Sequence, residues 1–139
     1  MIIHRDYNHL NETFDLAMVK LKESLDMFIY TPACLPAKST RLDLIGRTAW
    51  LVKGWGGDVN ENNKLSHFLM ETSQEVILKR LCRRKMPDVN PHELCAYSSD
   101  SCGGDSGGPL MIEEAGKQIL IGVTVEGADC EEVSHLVKI

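Results

Sequence analysis

The most informative stretch of the chain is Asp100-Ser-Cys-Gly-Gly-Asp-Ser-Gly-Gly-Pro-Leu110. Glycines surround Asp105 and Ser106 on both sides, so the backbone can adopt positive φ angles and let another main chain approach closely. A nucleophilic serine needs such a turn, because its hydroxyl must project while neighbouring amides face the oxyanion of a tetrahedral intermediate. The stretch therefore predicts a nucleophile at Ser106. The alternative is a glycine-rich hairpin that carries no chemistry.

The composition is that of one ordinary soluble globular domain: 139 residues, 43% of them hydrophobic and 25% charged. No apolar run approaches the roughly 18 residues of a membrane span, so no membrane partner is expected. Fifteen Lys and Arg against twenty Asp and Glu give a formal charge of -5, the wrong sign for binding nucleic acid. The chain has no Cys-X-X-Cys pair, and we predict neither a metal site nor a cofactor.

Short apolar runs separated by polar loops predict an all-β sandwich or barrel. The one plausible helix spans Ser73 to Lys85, and the one candidate linker spans Tyr30 to Thr40. A hairpin is expected around Glu113-Glu-Ala-Gly-Lys117. The predicted strands are Leu16–Leu21, Ala49–Val52, Leu110–Ile112 and Ile119–Val125.

Four ordered motifs make the sequence resemble the trypsin-like, chymotrypsin-fold serine endopeptidases. The nucleophile motif of that family, Gly-Asp-Ser-Gly-Gly-Pro, stands unaltered at Gly104 to Pro109. Phe14 to Leu21 looks like the strand that carries the catalytic acid, Pro32 to Pro36 like the interdomain link, and Lys53 to Gly56 like the Gly-Trp-Gly turn. The resemblance implies a double β-barrel, with residues 1–40 a remnant of the first barrel plus the link, and residues 41–139 the largely present second barrel.

The resemblance also assigns catalytic roles to individual residues. Ser106 would be the nucleophile and Asp15 the acid that orients the catalytic histidine. The amides of Gly104 and Ser106 would form the oxyanion hole. Asp105 would pair with the amino terminus that zymogen cleavage creates.

The specificity pocket is implied at four positions: Asp100, Ser101, Val125 and Gly127. A carboxylate at the Asp100 position would pair with Arg or Lys of a protein or peptide substrate, although a solvated loop aspartate is the alternative. The chain departs from the family at Val125-Glu-Gly127, where relatives usually have Ser-Trp-Gly. The usual pocket glycine has no clear counterpart after Cys130.

Five cysteines are compatible with two bridges and one leftover thiol, or with scattered thiols of a cytosolic protein. The family pattern pairs Cys82 with Cys95 and Cys102 with Cys130. Cys34 then has no mate, and in many relatives its counterpart holds a propeptide or light chain. The resemblance therefore points to covalent attachment of an upstream segment through Cys34.

The catalytic histidine of the family lies in a Thr-Ala-Ala-His-Cys segment, and nothing like it precedes Asp15. The five histidines of this chain are interpreted as surface or loop imidazoles. Without an activated amino terminus we expect the buried carboxylate of Asp105 to turn toward water and leave the oxyanion hole unformed. The chain is thus interpreted as the carboxy-terminal portion of a trypsin-like endopeptidase, inactive alone. Alternatives are a silent homologue acting as a binding or decoy module, and a different serine hydrolase that uses one of the five histidines.

Two features bear on the compartment. Asn11-Glu-Thr13 is a glycosylation sequon, which suits a secreted glycoprotein. Met1 to Asp6 lacks the basic flank and apolar run of a signal peptide. We therefore predict an extracellular protein whose targeting sequence lies in an upstream part, as in a partial gene product, a splice form or an incomplete gene model.

Overall fold

The computed structural model describes residues 1–37, 43–51, 54–58, 64–97, 104–127 and 133–139. Within these ranges the chain is nearly all β, with ten strands and one short helix, and no helix is long and apolar enough to cross a membrane. The elements are β1 (Ile2–Ile3), β2 (Ala17–Met18), β3 (Thr48–Leu51), β4 (Gly57–Asp58), β5 (Lys64–Leu65), β6 (Thr72–Ile77), α1 (Lys79–Cys82), β7 (Glu93–Tyr97), β8 (Pro109–Glu114), β9 (Lys117–Gly127) and β10 (Val133–Lys138).

Six strands close into an antiparallel barrel in the order β10-β7-β6-β3-β8-β9. The hairpin predicted around Glu113 to Lys117 joins β8 to β9, with Glu114 opposite Lys117. Ala115 and Gly116 form its tip with φ angles of 51° and 72°, the pair of positive values that a type I′ hairpin turn requires. The all-β prediction is confirmed.

The barrel interior is filled by aliphatic side chains that alternate along the strands. Leu110 and Ile112 of β8 are completely buried, whereas Pro109 and Met111, which alternate with them, are only half-buried. Ile121 of β9 and Leu136 of β10 face the same core. Burial of each such side chain stabilises the fold by about 1.5 to 3 kcal/mol, so this core fixes the strand from which the predicted nucleophile motif emerges.

The helix predicted from Ser73 to Lys85 is wrong over its first half. Thr72–Ile77 is strand β6, and the helix α1 covers only Lys79–Cys82. Gln74 and Val76 are buried while Ser73 and Glu75 are exposed, which is the two-residue period of a strand. The apparent helical stripe combines residues with different surroundings: Val76 packs in the barrel core, Ile77 and Cys82 belong to a second apolar cluster, and Leu81 is exposed.

The amino-terminal segment is more open than the barrel. Only Ala17–Met18 of the strand predicted at Leu16–Leu21 pairs, with Ile2–Ile3, and both strands are exposed. The predicted linker contacts the barrel at Cys34, whose amide donates to the Gln118 carbonyl at 2.8 Å and whose carbonyl accepts from the Leu120 amide at 2.9 Å. The link is thereby fastened to β9. The division at residues 40 and 41 stays a prediction.

Candidate active site

The turn from Gly104 to Gly108 is built by glycines and pinned to the barrel. Gly104 has φ of 101° and Gly107 has φ of 84°, values that L side chains rarely adopt. The Gly108 amide donates to the Asp105 carbonyl at 3.0 Å and closes the turn. The Gly107 amide donates to the Thr124 carbonyl at 2.8 Å, and the Thr124 amide donates to the Gly108 carbonyl at 2.9 Å. Strand β9 therefore holds Gly107 and Gly108, the second half of the turn.

Ser106 is exposed at the tip of this turn, and its Oγ donates a hydrogen bond to the Val125 carbonyl at 3.2 Å. A carbonyl oxygen accepts a hydrogen bond but does not take the proton, so the hydroxyl is oriented without being activated. No hydrogen bond joins Ser106 to His4, His9, His67 or His92, the histidines whose side chains the structure describes.

The two amides implied as the oxyanion hole face no competing protein acceptor. Across the described residues, neither the Gly104 amide nor the Ser106 amide donates to a carbonyl or a side chain. Each amide can therefore donate a hydrogen bond to an external oxyanion without breaking a hydrogen bond to a described residue. Among the histidines whose side chains the structure describes, none accepts a hydrogen bond from Ser106 Oγ.

Asp105 is buried, with 2% of its surface exposed, and its carboxylate packs directly against the backbone of Gly56. A Cβ on Gly56 would lie 2.7 Å from Asp105 Oδ2, so no side chain larger than hydrogen fits there. The expectation that Asp105 turns toward water is wrong. The carboxylate lies against the second glycine of the Gly-Trp-Gly turn, and it stays buried there.

Asp15 lies in the amino-terminal segment, between Phe14 and strand β2. Its carboxylate is exposed and makes no hydrogen bond or ion pair with any residue that the structure describes. Its neighbour Phe14 has a φ of 54°, uncommon for an aromatic residue. The Phe14 ring stacks on His4, with ring centroids 5.0 Å apart, and contacts His92 at 4.9 Å on the barrel side. Both imidazoles therefore help to hold the segment that carries Asp15.

A cavity of about 70 Å³ lies between this segment and the barrel. Thr13 and Phe14 line one side, and Asn90, His92, Glu93 and Val137 line the other. Glu93 is buried and accepts hydrogen bonds from the Asn90 amide at 2.8 Å and from Asn90 Nδ2 at 3.1 Å. The volume suits a few water molecules rather than a peptide side chain.

The structure describes only some of the other predicted site residues. Asp100, Ser101, Cys102 and Cys130 lie outside the described residues. Gly127 ends β9 opposite Ser134 of β10, and Val125 accepts the bond from Ser106. In the described ranges no cluster of three or more His, Cys, Asp or Glu side chains could hold a metal ion.

The cysteines that the structure describes agree with the pairing that the family pattern implies. Cys82 and Cys95 form a disulfide that links α1 to β7, with their Cα atoms 6.0 Å apart. Cys34 is a free, exposed thiol.

Sequence reasoning missed two residues that position the site. Thr124 is buried, and its backbone makes both hydrogen bonds that anchor the nucleophile turn to β9. Gly56 supplies the space for Asp105. The motif reading matched Gly56 to a family turn without assigning it a purpose. A threonine inside the aliphatic run Ile119 to Val125 was the only signal for Thr124.

The described residues thus form an antiparallel six-stranded barrel that carries Ser106 on a glycine-rich turn, an arrangement that is typical of a class of serine hydrolases. The Trypsin family profile matches residues 1–137, and the chain belongs to this family. It is a trypsin-like serine protease domain.

Three relatives illustrate the similarity. A venom protease of Bombus pensylvanicus is 35% identical over 136 residues, covering 93% of this chain and 55% of the relative. Serine proteinase stubble of Drosophila melanogaster is 34% identical over 145 residues, covering 96% of this chain and 18% of the relative. Transmembrane protease serine 5 of Homo sapiens is 32% identical over 143 residues, covering 97% of this chain and 31% of the relative. The chain thus spans about half, or less, of the curated relatives it matches.

Proposed function

We propose that this chain contributes the nucleophile and the substrate pocket of an extracellular endopeptidase that cleaves after Arg or Lys. The observation that carries the proposal is the Ser106 turn, which exposes a hydroxyl beside two amides that no described protein acceptor occupies. In the proposed reaction Ser106 Oγ attacks the scissile carbonyl, and the Gly104 and Ser106 amides stabilise the oxyanion. Asp15 orients a histidine that accepts the Ser106 proton.

The 139 residues alone are proposed to be inactive. The Ser106 hydroxyl donates to a carbonyl rather than to a base, and no histidine of the chain stands in the family's catalytic context. Where triad members are missing, only a residual enhancement of about 10³ to 10⁴ over water remains, from the oxyanion hole and binding. We therefore expect no measurable amidase activity from the chain by itself.

Purified chain incubated with an arginyl amide substrate tests this expectation. The matched control is Ser106→Ala, which removes only the hydroxyl. Equal background rates for the two proteins support the proposal. Turnover by the chain that Ser106→Ala abolishes would show that one of its own histidines serves as the base, and would favour the different serine hydrolase.

Specificity is proposed to depend on Asp100 as the floor of the pocket, with Ser101, Val125 and Gly127 beside the substrate. A desolvated carboxylate that meets a substrate cation gains a hydrogen bond worth about 1.5 to 3 kcal/mol, or one to two powers of ten in kcat/KM. The test is a peptide library cleaved by a protein that supplies the histidine and the activated amino terminus upstream of this chain. Asp100→Ser should lose the preference for Arg and Lys, while Asp43→Ser, at an exposed position, should keep it.

The extracellular location is proposed from the Cys82–Cys95 disulfide, since such bridges persist in oxidising compartments. Cys34, free and exposed, is proposed to hold an upstream segment covalently. The sequon at Asn11 is accessible to glycosylation, because Asn11 is exposed and its Oδ1 accepts a hydrogen bond from Thr13 Oγ1 at 3.0 Å. Non-reducing peptide mapping of the protein from its natural source would detect both modifications.

A silent homologue that acts as a binding or decoy module is the competing function. The observation that favours it is that Ser106 Oγ donates to the Val125 carbonyl and to none of the histidines whose side chains the structure describes. The full transcript separates the two functions. An in-frame Ala-His-Cys segment upstream supports the protease, and a complete transcript without one supports the binding module.

A further inference from the structure

Positive charge is concentrated in seven residues. Lys79 to Lys85 contains five of the fifteen Lys and Arg of the chain and no Asp or Glu. Since the whole chain has a formal charge of -5, the segment carries +5 and the remaining residues together carry -10. A cluster of this sign on an acidic protein creates a local field that the net charge does not reveal.

The segment is a helical turn with one buried side and one cationic side. Helix α1 continues as hydrogen-bonded turns, because the Arg83 amide donates to the Lys79 carbonyl and the Met86 amide to the Cys82 carbonyl, both at 2.9 Å. Cys82 is completely buried and tied to Cys95 of the barrel. The cationic side is therefore fixed to a rigid support.

Three arginines form what we call the arginine face: Arg80, Arg83 and Arg84. All three are exposed; Arg80 lies in α1, and Arg83 and Arg84 follow it in the hydrogen-bonded turns, three and four positions further on, which places them on the same side of the helical segment as Arg80. The ion pairs Arg5–Asp6 and Arg47–Glu114 lie elsewhere, and no carboxylate among the described residues pairs with the arginine face. These guanidinium groups are available to an external anion.

The positive charges around the neighbouring Lys79 affect its pKa. Its Nζ donates to the carbonyls of Asn90 and Pro91, so it is used inside the fold. Burial lowers the pKa of Lys79 below its usual range, and the positive charges of Lys138 and Arg83 lower it further. Glu93 opposes this shift with the smallest effect of the four causes.

We propose that the arginine face binds a sulfated polysaccharide of the extracellular matrix or cell surface, as a docking site separate from the Ser106 turn. Guanidinium groups match the geometry of sulfate oxygens and stay charged at every physiological pH. A polysaccharide with sulfates on successive sugars engages several arginines of an exposed helix face without needing a pocket. The choice of ligand depends on the extracellular location proposed above, and the site itself needs no catalytic activity.

An acidic peptide suits this surface less well. Peptides that bind tightly add a strand to a free sheet edge or insert apolar anchors into a groove. The strands behind α1 belong to a closed barrel, and β7 already pairs with β6 and β10 on its two sides. The arginine face therefore offers charge without a free strand edge, which favours a ligand recognised mainly by its repeated anionic groups.

The test is binding of the 139-residue chain to heparin, measured by affinity chromatography and by titration across a range of NaCl concentrations. Although the chain is acidic, we expect it to be retained. The variant Arg80→Gln/Arg83→Gln/Arg84→Gln should bind at least tenfold more weakly. Its salt dependence should also be shallower, because fewer counterions are displaced when fewer cations contact the polyanion. The matched control Arg5→Gln/Lys20→Gln/Lys22→Gln has the same net charge and should bind like the unaltered chain.

A second measurement does not depend on the folding of any variant. In the unaltered chain, heparin should protect Arg80, Arg83 and Arg84 from modification by phenylglyoxal while leaving the exposed Arg5 reactive. Any of three results overturns the proposal: equal loss of binding in the two triple variants, no protection of the arginine face, or equal binding of desulfated heparin. Retention on a polyglutamate peptide or on phosphatidylserine vesicles, with none on heparin, also overturns it and assigns the face to that other partner.

Discussion

The Gly-Trp-Gly turn allows a sharp test of how Asp105 is held. Gly54 and Gly56 flank the same tryptophan, but their surroundings differ. A Cβ on Gly56 would lie 2.5 Å from Asp105 Cγ, whereas a Cβ on Gly54 would lie 4.0 Å from its nearest neighbour, the Gly104 carbonyl oxygen. The same single methyl group therefore probes a filled space at one position and an open one at the other.

The size of the effect follows from these distances. Carbon atoms pack best at about 3.5 to 4.0 Å, so the Asp105 carboxylate must move by about 1 Å to admit the methyl group of Gly56→Ala. Because Asp105 is only 2% exposed, the movement disturbs its packed surroundings. Overpacking of this kind costs about 1 to 3 kcal/mol. Gly54→Ala should be neutral or stabilise by about 0.4 to 1 kcal/mol, because alanine restricts the unfolded chain.

Urea unfolding of the two variants measures the difference. With a slope of about 2 kcal/mol per molar urea, a loss of 2 kcal/mol lowers the midpoint by about 1 M. We expect such a decrease for Gly56→Ala and a midpoint near that of the parent chain for Gly54→Ala. Equal midpoints for the two variants would refute the reasoning, since they would mean that the Asp105 carboxylate leaves its position without cost.

Two further predictions concern the region around α1. Removing the disulfide with Cys82→Ala/Cys95→Ala should lower the free energy of unfolding by about 3 kcal/mol, because the bridge closes a loop whose ends are 13 positions apart and so restricts the unfolded chain. A loss below about 1 kcal/mol in urea unfolding would contradict this prediction. NMR titration should show a pKa for Lys79 below the ordinary 10.5, and Arg83→Gln should raise the pKa of Lys79 by removing one repelling charge. At pH values between the lowered pKa of Lys79 in the folded chain and the ordinary 10.5, the Lys79 side chain binds more protons in the unfolded chain than in the folded one. The contribution of Lys79 to the free energy of unfolding therefore rises with pH over this interval. A contribution that falls over that interval would show that the sign is wrong.

The barrel strands differ in how well the sequence predicts them. Leu110–Ile112 and Ile119–Val125 are aliphatic runs beside a hairpin signal, and the structure extends both. Strands β7 and β10 were missed because Glu93, Ser134 and Lys138 interrupt their apolar pattern. Glu93 is nevertheless buried, since Asn90 satisfies its carboxylate. Such a partner can be identified only once the chain is folded.

The site shows the same division. The Ser106 turn could be predicted because its glycines and its nucleophile are adjacent in sequence. The contact of Asp105 with Gly56 and the stacking of Phe14 between His4 and His92 join distant parts of the chain. No local pattern encodes those distances. The direction of the Ser106 hydroxyl is likewise set by β9, which follows Ser106 in the chain.

Strand β9 connects the link to the Ser106 turn. Ile119, bridged to Cys34, and Val125, which accepts the Ser106 hydrogen bond, are about 20 Å apart along an extended strand. The neighbouring strands β8 and β10 pair with β9 and keep it extended. A displacement of Cys34 would therefore be transmitted along β9 to the Ser106 turn. The two can move independently only if backbone hydrogen bonds at one end of the strand break first.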